Sequence, residues 1–485
     1  MHTQGPSYEL PDHLSVDAFE MAHLVRTKRI SPVELVSDTL QAIDALDRKM
    51  NAFTVLLEDD AMDAARNAEQ AVSDGARLGR LHGVPVSVKD AMWMRGVRTA
   101  NGSPALRDFV PTQDAVAVQR LRETGAVIVG KTNNPEFCCG GYTGNRLYGL
   151  TRNPWDLTRT AGGSSGGAAA AVAAGLTPLS LGGDAGGSIR VPASFCGVVG
   201  FKPTFGLIPR GPGFQGWATL GTTGPLCRSA RDAALIIPAL AGQDATDYMS
   251  LPWPRDGLPA TLPTLVPGEL RIGYSLDLGY ATVEPEVADV FQQVIGRLQS
   301  SGWPLIPIHP DAGSPLALQS LFGSWEGHAP EGSVIDPHAQ SWAGTDHAHE
   351  LPTPAARQGD YMTGLHQRQE FATAWLRIFD EVDLLITPSV QMPAFDAEAE
   401  GPEQINGISM DLDTYEWGEV SFPANLVGMP AISVPCGTDR GGLPIGLQIM
   451  GNRFDDARVL QFADSWLKLY AESAWLPTVA SASLV

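Results

Sequence analysis

Residues 182–192 read Gly182-Gly183-Asp184-Ala185-Gly186-Gly187-Ser188-Ile189-Arg190-Val191-Pro192, directly after the strand-like apolar run LTPLSL that begins at Leu176. Two glycines before a serine expose successive backbone N–H groups and leave space for a substrate carbonyl beside the hydroxyl, as an oxyanion hole requires. A dinucleotide fingerprint is the competing reading. It needs a helix to open straight out of the glycines, and Arg190 to Pro192 is expected not to continue one.

Two further segments share this character. Gly162-Gly163-Ser164-Ser165-Gly166-Gly167 runs into the helix former AAAAVAAG. Glycines on both sides free the backbone, so two serines can be held tightly at a helix start. A helix cap and a phosphate loop are the plainer readings, but the Gly-Lys-Ser/Thr ending of a phosphate loop is missing. Upstream, Val84-Pro85-Val86-Ser87-Val88-Lys89-Asp90 places a lysine at the end of an apolar strand. Such an ammonium either reaches solvent along its stem or sits buried, where it must be paired or neutralised.

Outward from these segments, residues 1–75 read as an N-terminal helical region. Ser31-Pro32 opens VELVSDTLQAIDAL at helical spacing, and an alanine-rich helix follows near AMDAARNAEQAV. From residue 76 to 485, short β-rich runs alternate with helices. That pattern predicts an α/β catalytic domain built on a central mixed, twisted β-sheet with α-helices on both faces. Within it, residues 255–400 are expected to contain a substrate lid or insert, centred on 303–366.

The chain has 54 acidic against 33 basic residues, a formal charge of -21. A field of that sign repels phosphate backbones and anionic lipid, which argues against nucleic acid or a membrane as partner. The opening MHTQGPSYELPDHL lacks a basic segment followed by an apolar one, and no run reaches the roughly 18 apolar residues that span a bilayer. A cytoplasmic protein is expected. The five cysteines show no CxxC spacing and read as free thiols. The ten histidines show no HExxH pattern, so neither metal nor cofactor is expected.

Taken together, Lys89, the serine-glycine loop and GGSIRVPAS resemble the amidase-signature family, with the two serines separated by 24 positions, from 164 to 188. The likeness extends over ISPVELV, Asn51-Ala52-Phe53, GKTNNPEF, NPWDLTRTAGGSSGG, CGVVGFKPTFG, GMPAISVPCG and GLPIGLQIMG. It implies the amidase-signature fold, with Ser188 as nucleophile, Ser164 as a bridging serine after a cis peptide bond, and Lys89 as the ultimate base. It further implies an oxyanion hole from the amides of Ala185, Gly186, Gly187 and Ser188. Ser165, Asp184 and Arg190 are expected in support, the last two as an ion pair bracing the loop or shaping it only structurally. Cys138, Cys139, Gly140 and Tyr142, with Phe137, Phe214, Trp217 and Trp325, are candidates for the substrate wall.

The resemblance implies hydrolysis of a small-molecule amide, anilide, ester or carbamate (urethane) through an acyl-enzyme; a homodimer is compatible with it. Glutamine-dependent ammonia release, as in the ammonia-producing component of a glutamyl-tRNA amidotransferase, is the rival, and a catalytically dead scaffold is a third reading. Three positions depart from the family pattern. Gly183 stands where Ser or Thr is expected, Ala185 where Thr or Ile is usual, and Ala161 replaces a frequent proline, so hydroxyl contacts near Lys89 are expected to be missing.

Overall fold

The computed structural model describes residues 10–214, 216–253, 262–326, 358–412 and 415–471. Fifteen strands are present among them: β1 (Phe53–Leu56), β2 (Pro85–Lys89), β3 (Val127–Thr132), β4 (Arg152–Asn153), β5 (Asp156–Thr160), β6 (Leu179–Asp184), β7 (Val199–Lys202), β8 (Thr222–Cys227), β9 (Ile272–Tyr274), β10 (Leu305–Pro307), β11 (Leu384–Pro388), β12 (Gln404–Ile405), β13 (Ile408–Ser409), β14 (Ala431–Thr438) and β15 (Pro444–Gly451). The helices are α1 (Ala18–Arg26), α2 (Pro32–Met50), α3 (Glu58–Ser73), α4 (Val116–Glu123), α5 (Gly166–Ala173), α6 (Arg190–Cys196), α7 (Ala230–Leu240), α8 (Pro285–Ser300), α9 (Leu316–Glu326), α10 (Gln358–Glu381), α11 (Phe422–Val427) and α12 (Asp456–Ala471).

Eleven strands form one mixed sheet in the order β1-β3-β2-β6-β8-β7-β14-β15-β11-β9-β10, the α/β fold expected. Its central strands are apolar runs buried along their whole length, as for β2, β3, β8 and β15, because helices cover the sheet. β2 lies parallel to both β3 and β6, with Val88 opposite Leu181. β6 and β7 each pair antiparallel with β8, which separates them.

The N-terminal helices form as the pattern predicts. Ser31 Oγ accepts the N–H groups of Val33 and Glu34, and Pro32 occupies the first turn of α2. That region also holds β1, which pairs with β3 at the sheet edge. Residues 255–400 likewise feed the main sheet, through β9, β10 and β11. Of the lid expected at 303–366, residues 327–357 lie outside the described residues, and with them His338, His347 and His349. The flanking helices α9 and α10 pack in a core containing Phe322, Phe371 and Trp375. No helix among the described residues is long and apolar enough to cross a membrane.

One expectation fails. Arg190 to Pro192 does continue into a helix: α6 starts at Arg190. Pro192 lies in its first turn, where a backbone N–H has no helical partner to lose. The phosphate reading fails on different grounds, because the N–H groups of Gly187 (2.8 Å) and Ile189 (3.1 Å) are already taken by the Asp184 carboxylate.

Candidate active site

Because β2 and β6 run parallel, their C-terminal ends share one edge of the sheet, where open α/β sheets bind ligands. Lys89 ends β2 and Asp184 ends β6, while Ser164 and Ser188 stand just ahead of α5 and α6. A cavity of about 1070 Å³ opens there, and Lys89, Ser164 and Ser188 all line it. Lys89 Nζ donates to Ser164 Oγ at 2.7 Å, with both residues buried. The Gly163–Ser164 peptide bond is cis. A Cβ at Gly163 would run into the backbone of Tyr142, so the close approach requires glycine.

Burial strips water from the Lys89 ammonium and holds its pKa below the ordinary lysine value. The Cys138 thiol, hydrogen-bonded to the amine, opposes this, as do the Asp184 carboxylate and Cys139. Cys138 thus stands where hydroxyl neighbours were expected to be missing. Its Sγ also donates to Asn101 Oδ1 at 3.4 Å.

Ser165 binds the two serine loops together from behind the cavity. Its N–H donates to the Ser188 carbonyl oxygen at 3.1 Å. Its hydroxyl donates to Gly183 O (3.2 Å) and accepts from Gly183 N (3.3 Å). Asp184 and Arg190 form a buried two-point ion pair, each contact 2.9 Å. Burial alone would raise the Asp184 pKa. The Arg190 guanidinium, then Lys202 and the Gly187 amide, outweigh it and hold the carboxyl well below the usual range. Arg190 also donates to Ser421 O at 2.8 Å, to Gln448 Oε1 at 2.5 Å and to Asn425 Oδ1 at 2.6 Å.

The carbonyls of the Ser188 loop are held one by one. Asn425 Nδ2 donates to Asp184 O at 2.9 Å, Gln319 Nε2 to Ala185 O at 3.2 Å, and Ser421 Oγ to Gly186 O at 3.0 Å. In a trans peptide the N–H points opposite the C=O of the same plane, so these contacts also aim the amides of residues 185, 186 and 187. Ala185, Gly186 and Ser188 line the cavity. Gly187 departs from its expected place among the oxyanion donors: its N–H goes to Asp184 Oδ1.

Cys138, Cys139, Gly140 and Tyr142 all face the cavity, with Phe137, Phe214 and Trp217. Phe214 packs against Trp93 and Phe109 with ring centroids 5.8–5.9 Å apart, giving this wall an aromatic backing. Trp325 does not join it; its ring packs on Tyr361 instead, at 5.4 Å. Cys196, Cys227 and Cys436 are buried free thiols, whereas Cys138 and Cys139 are only half-buried. Among the described residues no group of three His, Cys, Asp or Glu side chains is placed to hold a metal ion.

Residues 34–329 and 339–460 match the family described as Amidase. The chain belongs to the amidase-signature family of hydrolases. The GatA-type component of a glutamyl-tRNA(Gln) amidotransferase from Picosynechococcus sp. is 36% identical over 465 residues, covering 90% of this chain and 94% of that protein. An acylamidase from Rhodococcus erythropolis is 35% identical over 455 residues, covering 92% of this chain and 94% of that protein. A bacterial aryl acylamidase of the amidase-signature family superposes with a TM-score of 0.84 at 29% identity, covering 95% of this chain and 99% of that one.

Three residues around the site of this amidase-signature chain escape a reading by motif: Gln319, Ser421 and Asn425. Each is a buried polar residue beside apolar ones, in LALQSLFG and VSFPANLVG. That is the available signal, since a buried polar side chain must find a partner.

Proposed function

We propose that this protein hydrolyses a neutral, largely apolar or aromatic carboxylic amide, or a related anilide, carbamate or ester, through an acyl-enzyme on Ser188. The observation that carries the reading is the 2.7 Å hydrogen bond from Lys89 to Ser164 in the cavity that Ser188 lines. Lys89, neutral through burial, takes the Ser164 proton while Ser164 takes that of Ser188. Ser188 Oγ bonds to the scissile carbonyl carbon, and the oxyanion rests on the amides of Ala185, Gly186 and Ser188. When the tetrahedral intermediate collapses, the bond to the leaving nitrogen or oxygen breaks and the proton returns through Ser164 to that atom. Water then attacks the Ser188 ester by the same relay and releases the acid.

The aromatic backing by Trp93, Phe109 and Phe214 favours an uncharged substrate. Glutamine carries an α-carboxylate that calls for a cation. Arg210, which lines the cavity, spends its Nη donors on the carbonyls of Trp217 (3.0 Å) and Gly216 (2.6 Å). The amidotransferase relative at 36% identity keeps glutamine as the second reading.

A substrate panel decides between them. An aryl amide, an aryl carbamate and a p-nitrophenyl ester are expected to be turned over with kcat/KM well above that for ammonia release from glutamine. Ser188→Ala is expected to abolish turnover and fluorophosphonate labelling together. Undiminished labelling in that variant sinks the Ser188 assignment.

A further inference from the structure

Gln319 reaches from α9 to the cavity wall and is 7% exposed. Its Nε2 is tied to Ala185 O at 3.2 Å, which fixes which end of the carboxamide meets the Ser188 loop. The other end, Oε1, is buried without a hydrogen-bond partner. Buried acceptors nearly always find a donor, so an orphan on the wall of a ligand cavity marks a place where the ligand supplies one. The carboxamide lies close against Gly186: a Cβ there would stand 2.7 Å from Gln319 Nε2. Oε1 therefore borders the space beside the carbonyl that the Ala185 and Gly186 amides are proposed to hold. The atom attached to that carbonyl is a nitrogen bearing hydrogen in secondary amides, anilides and carbamates. It is not in esters or N-alkylated amides.

We propose that Gln319 is a specificity-determining residue that reads this N–H: anchored through Nε2, it offers Oε1 as the acceptor and selects N–H-bearing substrates. A site built around a hydrogen bond rejects analogues that lack the donor, because its own polar group is then left unpaired. The inference rests on the Ser188 acylation proposed above.

The test uses three substrates with one acyl group: an anilide, its N-methyl analogue and an aryl ester. In the wild type the anilide is expected to be preferred over its N-methyl analogue. In Gln319→Met the ratio of their kcat/KM values is expected to fall about tenfold, the factor set by a typical single hydrogen bond. Gln319→Glu keeps an acceptor and is expected to retain more of the preference than Gln319→Met. Equal losses on all three substrates in Gln319→Met would mean that Gln319 only holds the Ala185 carbonyl, and would overturn the proposal. So would a wild type that turns over the N-methyl anilide as fast as the anilide, a result that needs no variant to fold. Failure of the acylation reading shows separately, as ester turnover surviving in Ser188→Ala.

Discussion

Two opposing influences meet at Lys89: burial favours the neutral amine the proposed relay needs, and the Cys138 thiol beside it favours the ammonium. Cys138→Ala removes the second. The Lys89 pKa is then expected to fall further, moving the acid limb of kcat/KM toward lower pH. A limb that stays where the wild type has it would disconnect Cys138 from the proton relay. At this scale much is legible in the sequence, because Lys89, Ser164 and Ser188 each stand in a glycine-rich or strand-end context that suggests their roles. For Cys138 the sequence suggests only the substrate wall, since its contact with Lys89 depends on how the 136–142 loop folds over β2. Gly187 is misleading for a related reason. Its spacing suits an oxyanion donor, but Asp184, three residues earlier, turns back and takes the amide.

Among the elements, α2 owes its start to Ser31, whose Oγ accepts Val33 N at 3.0 Å and Glu34 N at 3.4 Å. Ser31→Ala is expected to cost about 1 kcal/mol, read as a lower urea midpoint at unchanged slope. An unchanged midpoint would show that Pro32 alone fixes the start. Most elements are legible in this way, from capping residues and the apolar period. The exceptions share a cause, that a local rule depends on position. Pro192 would break a helix interior but is accommodated in the first turn, so α6 escapes the pattern. Phe53–Leu56 is too short to read as a strand between two helices, and β3 supplies the partner that makes it one. The three side chains that hold the Ser188 loop come from α9, α11 and the turn before α11, elements joined to that loop only by the tertiary fold.

For the molecule as a whole, buried carboxyl groups set how stability responds to pH. Burial raises Asp47 to about 6, against the amides of Ala52 and Phe53 that pull it down. It raises Asp232 to about 7, with the Asp17 carboxylate adding to the effect. It raises Glu419 to about 7, with Glu416 adding and Ser314 opposing. Each folded pKa lies above its unfolded value of about 4, so in the window between them the native chain binds protons that the unfolded chain has released. Stability from these groups is present in full below that window and is lost as pH rises through it to about 7. The formal charge of -21 acts in the same direction, because each released proton adds to the repulsion. Lys202 is held down by burial to about 7, so its contribution changes above this window rather than within it. Tm is therefore expected to fall between about pH 5 and pH 7. Asp232→Asn can still accept the Phe19 N–H that Asp232 Oδ1 accepts at 2.9 Å, and it cannot ionise, so its Tm is expected to decline less steeply across the same interval. Equal slopes in the two proteins would remove Asp232 from the account, and a wild-type Tm that climbs across that interval would reverse the sign of the whole effect.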